Sequence, residues 1–186
     1  FRFGKDRLGD CNMLQEHSID HGFTVEIVDG VGIDNQRVSS SAIRKLLSSG
    51  DFQTAEKLLG RPFAISGRVA HGDKQGRTIG FPTANISIRR NLSPVLGVFS
   101  VLIKINNINY KGVCNVGKRP TLGGLKVLLE VFIFDFNQEI YGGYVTVFFK
   151  QKCREEIKFN SLEELKNQIK EDVKDSKQYF KDARIN

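Results

Sequence analysis

From Gly60 onward the chain changes period. FAISGRVA, TANISI, GVFSVLIKI, INYKGVCNV, LKVLLEVFIFDF and YVTVFFK carry apolar residues at alternate positions, and Gly, Asn and Asp turn signals separate them. Six short strands with regular turns predict a small antiparallel barrel or sandwich. The stretch that follows, NSLEELKNQIKEDVKDSKQYF, has Leu162, Leu165, Ile169, Val173 and Phe180 near helical spacing, with Ser161 and Glu164 as a capping box. A helix is expected there, packed by that face on the strands.

Before Gly60 the pattern differs. FTVEIVD (Phe23 to Asp29) alternates like a strand, and SSSAIRKLLSSGDFQTAEKLLG reads as two short helices, with serines to cap the first, Gly50 between them, Asp51 capping the second and Gly60 ending it. One strand followed by helices suggests the tail of an α/β domain that is incomplete as given. The expected organisation is α+β overall: an α/β remnant over 1–59 and a six-stranded domain with its helix over 60–186.

The rest of the composition narrows the partners. No apolar run approaches the roughly 20 residues that span a bilayer, since even VLLEVFIF is interrupted by Glu130. The opening FRFGKDR has neither an initiator Met nor an apolar leader, which leads us to expect a piece of a larger protein. Cys11, Cys114 and Cys153 are an odd number, far apart and without a CxxC pair, so neither a disulfide framework nor a zinc site is expected, and a reducing cytoplasm fits. Lys and Arg outnumber Asp and Glu by 28 to 21, a formal charge of +7 that favours anionic partners, either nucleic acid or nucleotide phosphates. The basic residues are scattered, and with no Trp and four Tyr the aromatic platform of a single-strand binder is thin.

Two constellations could carry chemistry. His71 to Asn85 reads HGDKQGRTIGFPTAN. Gly72, Gly76 and Gly80 do not satisfy the G-x-x-x-x-G-K-[ST] phosphate loop, yet glycines let backbone N–H groups approach an anion, and Lys74 and Arg77 add charge. A solvated glycine turn explains the same residues. Pro82 then fixes an extended backbone, and Thr83 and Asn85 stand two apart on one strand face with Ala84 turned away. A hydroxyl and an amide oxygen side by side suit Mg²⁺, and they also suit plain turn hydrogen bonds. In LKVLLEVFIFDF, Glu130 shares a face with Leu128, Phe132 and Phe134, while Val127, Leu129, Val131 and Ile133 take the other. A carboxylate among apolar residues is either a base with a pKa raised by desolvation or one half of an ion pair.

Weaker features remain. GVCNVGKRPTLGG (112–124) has the composition of a mobile loop between strands, and Arg154, Glu156 and Lys158 read as surface ion pairs. His17, His21 and His71 show no metal spacing and no nucleophile to activate. Ser39, Ser40 and Ser41 with Arg44 could hold phosphate at a helix N-terminus, and capping accounts for the serines equally well.

GRVAHGDKQGRTIGFPTAN, NVGKRPT, LEVFIFDFNQEIYG and CREEIKFNSLEELKNQIKED, in that order, resemble the riboflavin kinase module of bacterial bifunctional riboflavin kinase/FAD synthetases. The resemblance covers Leu59 to about Asp172. The segment before it looks like the end of the FMN adenylyltransferase module of the same proteins, its SSTxIR-like motif matched by Ser39-Ser40-Ser41-Ala42-Ile43-Arg44. What the resemblance implies is a six-stranded Greek-key barrel with a C-terminal helix, in which ATP and Mg²⁺ meet riboflavin to give FMN. It also implies that Thr83 and Asn85 contact the metal and the nucleotide, that the glycine loop Gly72 to Gly80 closes over the phosphates with Pro82 next to it among the ATP-binding residues, and that Glu130 takes the proton from the ribityl 5′-hydroxyl. Asn115, Gly117, Arg119, Arg154 and Glu156 fall on the flavin side, and Ser40, Ser41 and Arg44 on phosphate in the adenylyltransferase module.

The sequence departs from the family pattern in places. Phe132 stands where many members have His, Cys153 where an aliphatic is usual, and Ser41 where Thr is common. The His-containing nucleotide motif of the adenylyltransferase is absent from these residues, so FMN and not FAD is the expected product. The rival reading from another class is a basic barrel that binds nucleic acid without catalysis.

Overall fold

The computed structural model describes residues 1–34, 36–72, 76, 80–88, 93–121 and 124–183. Two compact units divide it, Phe1–Val38 and Ser39–Asn186.

The first unit holds helix α1 (Cys11–His21) and a minimal hairpin, β1 (Gly32–Ile33) with β2 (Gln36–Arg37). Asp10 caps α1 by accepting from the Met13 N–H at 3.0 Å, and Gly22 ends it at φ +67°. The strand expected over FTVEIVD does not form: residues 23–29 lie outside any strand. Alternation makes a segment fit for a sheet, but an extended chain needs a neighbour to take its N–H and C=O groups. Among the described residues of the unit no strand pairs with 23–29, and the Phe23 N–H donates back to the Ser18 carbonyl of α1 at 3.3 Å. Phe1, Leu8, Ile19 and Val28 are exposed.

The second unit begins with two capped helices. Ser39 accepts from the Ala42 N–H (3.2 Å) to start α2 (Ser40–Ser49), so Ser40 and Ser41 are its first helical residues. Gly50 ends α2 at φ +85°, Asp51 accepts from the Thr54 N–H (3.0 Å) to start α3 (Phe52–Leu59), and Gly60 ends it. These helices pack on the strands that follow. Leu47, Phe52 and Ala55 share one buried cluster with Ile65, Phe99 and Phe149, and the Phe52 ring meets those of Phe99 and Phe149 at 5.8 and 5.9 Å. The sequence period changes near Gly60, whereas the packing boundary falls before Ser39. Phe52→Ala is therefore expected to destabilise the barrel itself by about 3 kcal/mol, the loss of a buried aromatic and its cavity. Denaturant titration followed by a barrel probe checks this, and an unchanged midpoint would detach α3 from the barrel.

The six expected strands close into an antiparallel barrel in the order β3-β4-β7-β6-β5-β8, where β3 is Ala64–Ala70, β4 Thr83–Ser87, β5 Gly97–Ile105, β6 Ile108–Thr121, β7 Gly124–Ile133 and β8 Tyr144–Arg154. β5, β6 and β7 form a meander, β4 joins beside β7, and β8 returns to pair with both β5 and β3. Alternation assigns the faces. Val69, Ile86, Phe99, Val101, Ile103, Val116, Val127, Leu129, Val131, Val145 and Val147 fill the interior. On the outside Val98, Leu102, Val113 and Phe134 form a second cluster with Phe180 of α4 (Leu162–Asp182). That covering helix is why LKVLLEVFIF is apolar on both faces.

Helix α4 starts as its sequence predicts, Ser161 Oγ accepting from the Glu164 N–H at 3.1 Å, while the Glu164 carboxylate reaches back to the Asn160 N–H at 3.0 Å. One connection differs from what composition suggests. Residues 112–121 are not a loop: β6 continues through Gly117 to Thr121, paired residue for residue with β7, while 122 and 123 lie outside the described residues. Its glycines and proline lower intrinsic strand preference, and the ladder with an apolar neighbour overrides it.

Candidate functional site

Cross-strand register lines up a row of residues that the sequence keeps far apart. Asn85 on β4 pairs with Glu130 on β7, Glu130 with Asn115 on β6, Asn115 with Val98 on β5, and Val98 with Arg154 on β8. All five lie on the outer face, opposite the core. Thr83 sits two residues along β4 from Asn85, opposite Phe132, with Ala84 turned to the interior cluster. Gly117 and Arg119 continue the face from Asn115 at period two.

Above this row the barrel surface, residues 156–159 and the first half of α4 enclose a cavity of about 290 Å³. Gly76, Thr83, Asn85, Asn115, Arg119, Glu130, Arg154 and Glu156, all singled out from the sequence, line it together. Phe81 and Phe132, edge to face at 5.3 Å, form one apolar wall, and Leu162, Leu165 and Ile169 of α4 form another. A second cavity of about 400 Å³ lies alongside, bounded by Val69, Pro82, Ala84, Phe136 and Tyr141. Thr83 lines both.

The electrostatics are local. Glu130 is 24% exposed, and its Oε2 lies 3.7 Å from Arg119 Nη2, so the two readings of this carboxylate, base and ion-pair partner, are both present in its geometry. Arg154 is committed to a different partner. Its Nε and Nη2 donate to Asp172 Oδ1 and Oδ2 at 2.8 and 2.6 Å, and its Nη1 donates to the Glu155 carbonyl at 3.0 Å. Burial pushes the Cys114 thiol well up and the Cys153 thiol up, the latter lying 3.4 Å from Ser100 Oγ. Both thiols stay protonated at neutral pH and are no nucleophiles.

The glycine stretch touches the site where it is described. A Cβ on Gly72 would collide with the Asn85 amide, and one on Gly117 would collide with the Glu156 carboxylate. A methyl group at either position would require that side-chain end to move. Gly76 accepts from the Phe81 N–H at 2.7 Å, and Gly80 stands at φ +88°. Lys74 and Arg77 lie outside the described residues. Ser40, Ser41 and Arg44 are on α2 and line neither cavity.

Sequence reasoning missed three features. His71 stacks on Tyr141 at 4.1 Å, joining the residue before Gly72 to the wall of the second cavity. The apolar Ile157 and Phe159 line the first cavity from a connection that carries no periodic signal. Asp172 is 6% exposed and lines the same cavity. A signal for it existed: with Leu165, Ile169, Ser176 and Phe180 it occupies the inward stripe of α4, an unusual place for a carboxylate.

Among the described residues no group of three or more His, Cys, Asp or Glu could cage a metal. The oxygens of Thr83 and Asn85 suit an ion that takes most of its ligands from water and phosphate, as Mg²⁺ does. No helix of the described residues is long and apolar enough to cross a membrane.

A closed barrel with one covering helix and a polar row under an apolar-walled slot is a small-molecule binding barrel. The riboflavin kinase (flavokinase) family profile matches residues 59–180, and the chain belongs to that family. It is 51% identical over 181 residues to a bifunctional riboflavin kinase/FMN adenylyltransferase of Haemophilus influenzae, covering 97% of this chain and 59% of that protein. It is 44% identical to the Escherichia coli K12 protein of the same description, covering 97% and 58%. A crystal structure described as a macrolide-efflux protein from Streptococcus pneumoniae superposes with a TM-score of 0.69 at 37% identity, covering 92% of this chain and 56% of that one. The chain thus spans a little under three fifths of the length of these curated relatives.

Proposed function

We propose that this chain transfers the γ-phosphoryl group of ATP to the 5′-hydroxyl of riboflavin, giving FMN and ADP. The observation that carries the reading is the row Asn85–Glu130–Asn115 on the outer face of the barrel, beneath a cavity with apolar walls. The apolar walls suit a flavin ring, and the polar row suits a ribityl chain and a phosphate.

Thr83, shared by both cavities, marks where two substrates would meet. The flavin would occupy the first cavity, near Asn115, Gly117, Arg119 and Glu156, and the nucleotide the second. Glu130 takes the proton of the 5′-hydroxyl as its oxygen bonds to the γ-phosphorus and the bond to the ADP oxygen breaks. Arg119, 3.7 Å away, holds the carboxylate in place without burying it. Thr83 and Asn85 would hold Mg²⁺, which when bound offsets phosphate charge. The phosphates would fall to the glycine stretch 72–80 with Lys74 and Arg77. In such a transfer the protein mainly positions groups and stabilises charge.

The names and greater lengths of the relatives support a bifunctional parent that also adenylylates FMN to FAD, with residues 1–59 as the end of that module and Ser40, Ser41 and Arg44 serving its phosphates. The three unpaired cysteines support a reducing, cytoplasmic location. A nucleic-acid-binding barrel is not favoured by the family match.

Incubating the chain with riboflavin, ATP and Mg²⁺ and separating the flavins tests this. FMN is expected to accumulate with no FAD. Absence of FMN overturns the kinase reading, and FAD overturns the assignment of adenylylation to residues outside these 186.

A further inference from the structure

Arg154 and Asp172 form the most enclosed ion pair among the described residues, their side chains 18% and 7% exposed. Asp172 also accepts from Gln168 Nε2 at 3.1 Å, so three donors hold one carboxylate. Arg154 ends β8 in the same row as Glu130, and its guanidinium lies 5.9 Å from the Phe159 ring while binding the Glu155 carbonyl. One side chain therefore ties the barrel to two walls of the first cavity, residues 156–159 and helix α4.

The helix needs that tie. Below Asp172 it is packed on the barrel, with Ser176 Oγ donating to the Gly112 carbonyl at 3.4 Å and Phe180 buried. Above Asp172 the cavity lies between helix and barrel, and Leu162 is 66% exposed. At 1.5 Å per residue Leu162 is about 15 Å beyond Asp172, and Ser176 only about 6 Å behind it. A small tilt at Asp172 is thus amplified at the cavity mouth.

We propose that the Arg154–Asp172 bridge is a positioning device that fixes the gap between α4 and the barrel, and thereby decides which ring systems the slot admits. This rests on the flavin reading of the cavity. In it Arg154 and Asp172, which both line the cavity, act on the flavin by holding α4 in place, and Asp172 determines specificity without touching the reacting atoms.

Equilibrium dialysis, with the free flavin read by its own fluorescence, gives the dissociation constants. Asp172→Asn keeps the shape and removes the charge. It is expected to weaken riboflavin binding about tenfold, and an analogue enlarged at the dimethyl edge of the ring by less, so that discrimination between the two shrinks. KM for ATP should stay within about twofold, because the nucleotide side is not touched. Equal weakening of both flavins, or an unchanged ratio, overturns the proposal. If Asp172→Asn does not melt cooperatively, Gln168→Ala loosens the same carboxylate with the ion pair kept; it should shift the ratio in the same direction, and no shift is equally fatal. Wild-type chain that binds riboflavin but forms no FMN refutes the kinase reading alone, while FMN formation with an unshifted ratio refutes this inference alone.

Discussion

Glu130→Gln is expected to fold like the parent chain and to form FMN about 10³-fold more slowly, the scale of a lost general base. The substitution is a clean one at this position. Glu130 sits mid-strand in β7, its backbone paired with Asn85 on one side and Asn115 on the other, and glutamine keeps the volume and the strand. What it removes is the capacity to accept a proton and the charge facing Arg119 at 3.7 Å. If Glu130 were only the ion-pair partner of Arg119, the variant would lose a loose, half-exposed pair, worth at most about 1 kcal/mol, and turnover would persist. Arg119→Gln separates the effects from the other side: it removes the pair and leaves the base. Riboflavin affinity should be almost unchanged in Glu130→Gln, since the apolar walls proposed to hold the ring come from α4, residues 156–159, Phe81 and Phe132. Near-parental turnover by Glu130→Gln would take the base assignment away.

How far the site could be read in advance depended on which information was local. The face that each strand buries is local: Thr83 and Asn85 against Ala84, or Glu130 against Leu129 and Val131, follow from period two, and the barrel places them so. Register is not local. Nothing within TANIS or LLEVF says that Asn85 and Glu130 stand opposite each other; closure of six strands decides it. The same limit misassigned residues 112–121, whose strand exists because β7 pairs with them, and FTVEIVD, whose alternation found no partner strand among the described residues. The family resemblance supplied the roles, and the structure supplied the proximity of the residues. Neither pattern nor resemblance pairs Arg154 with Asp172, because that partner is 18 positions away on another element.

The second large effect is expected at Asn85, where Leu and Asp substitutions should diverge. Asn85→Leu keeps the side-chain size and an extended backbone but removes the amide oxygen beside Thr83. If the pair holds Mg²⁺ against the phosphates, turnover should fall about 10³-fold, comparable to removing a group that stabilises transferring charge. Half-saturation should move to higher Mg²⁺, and saturating Mg²⁺ should restore turnover only in part, since the missing ligand also positions the metal. Asn85→Asp retains an oxygen and adds charge. It should half-saturate at lower Mg²⁺, because a carboxylate binds a hard cation more strongly than an amide does. It should also turn over more slowly than the parent, because a second carboxylate then stands directly across the strand pair from Glu130. Gly72 provides a control that leaves Asn85 chemically intact: in Gly72→Ala the new methyl group occupies the space of the Asn85 amide and must displace it. That variant should resemble Asn85→Leu in its magnesium dependence. If Asn85→Leu turned over normally with an unchanged magnesium requirement, the metal would lie elsewhere, and the strand face of Thr83 and Asn85 would serve only the turn hydrogen bonds that its sequence equally allows.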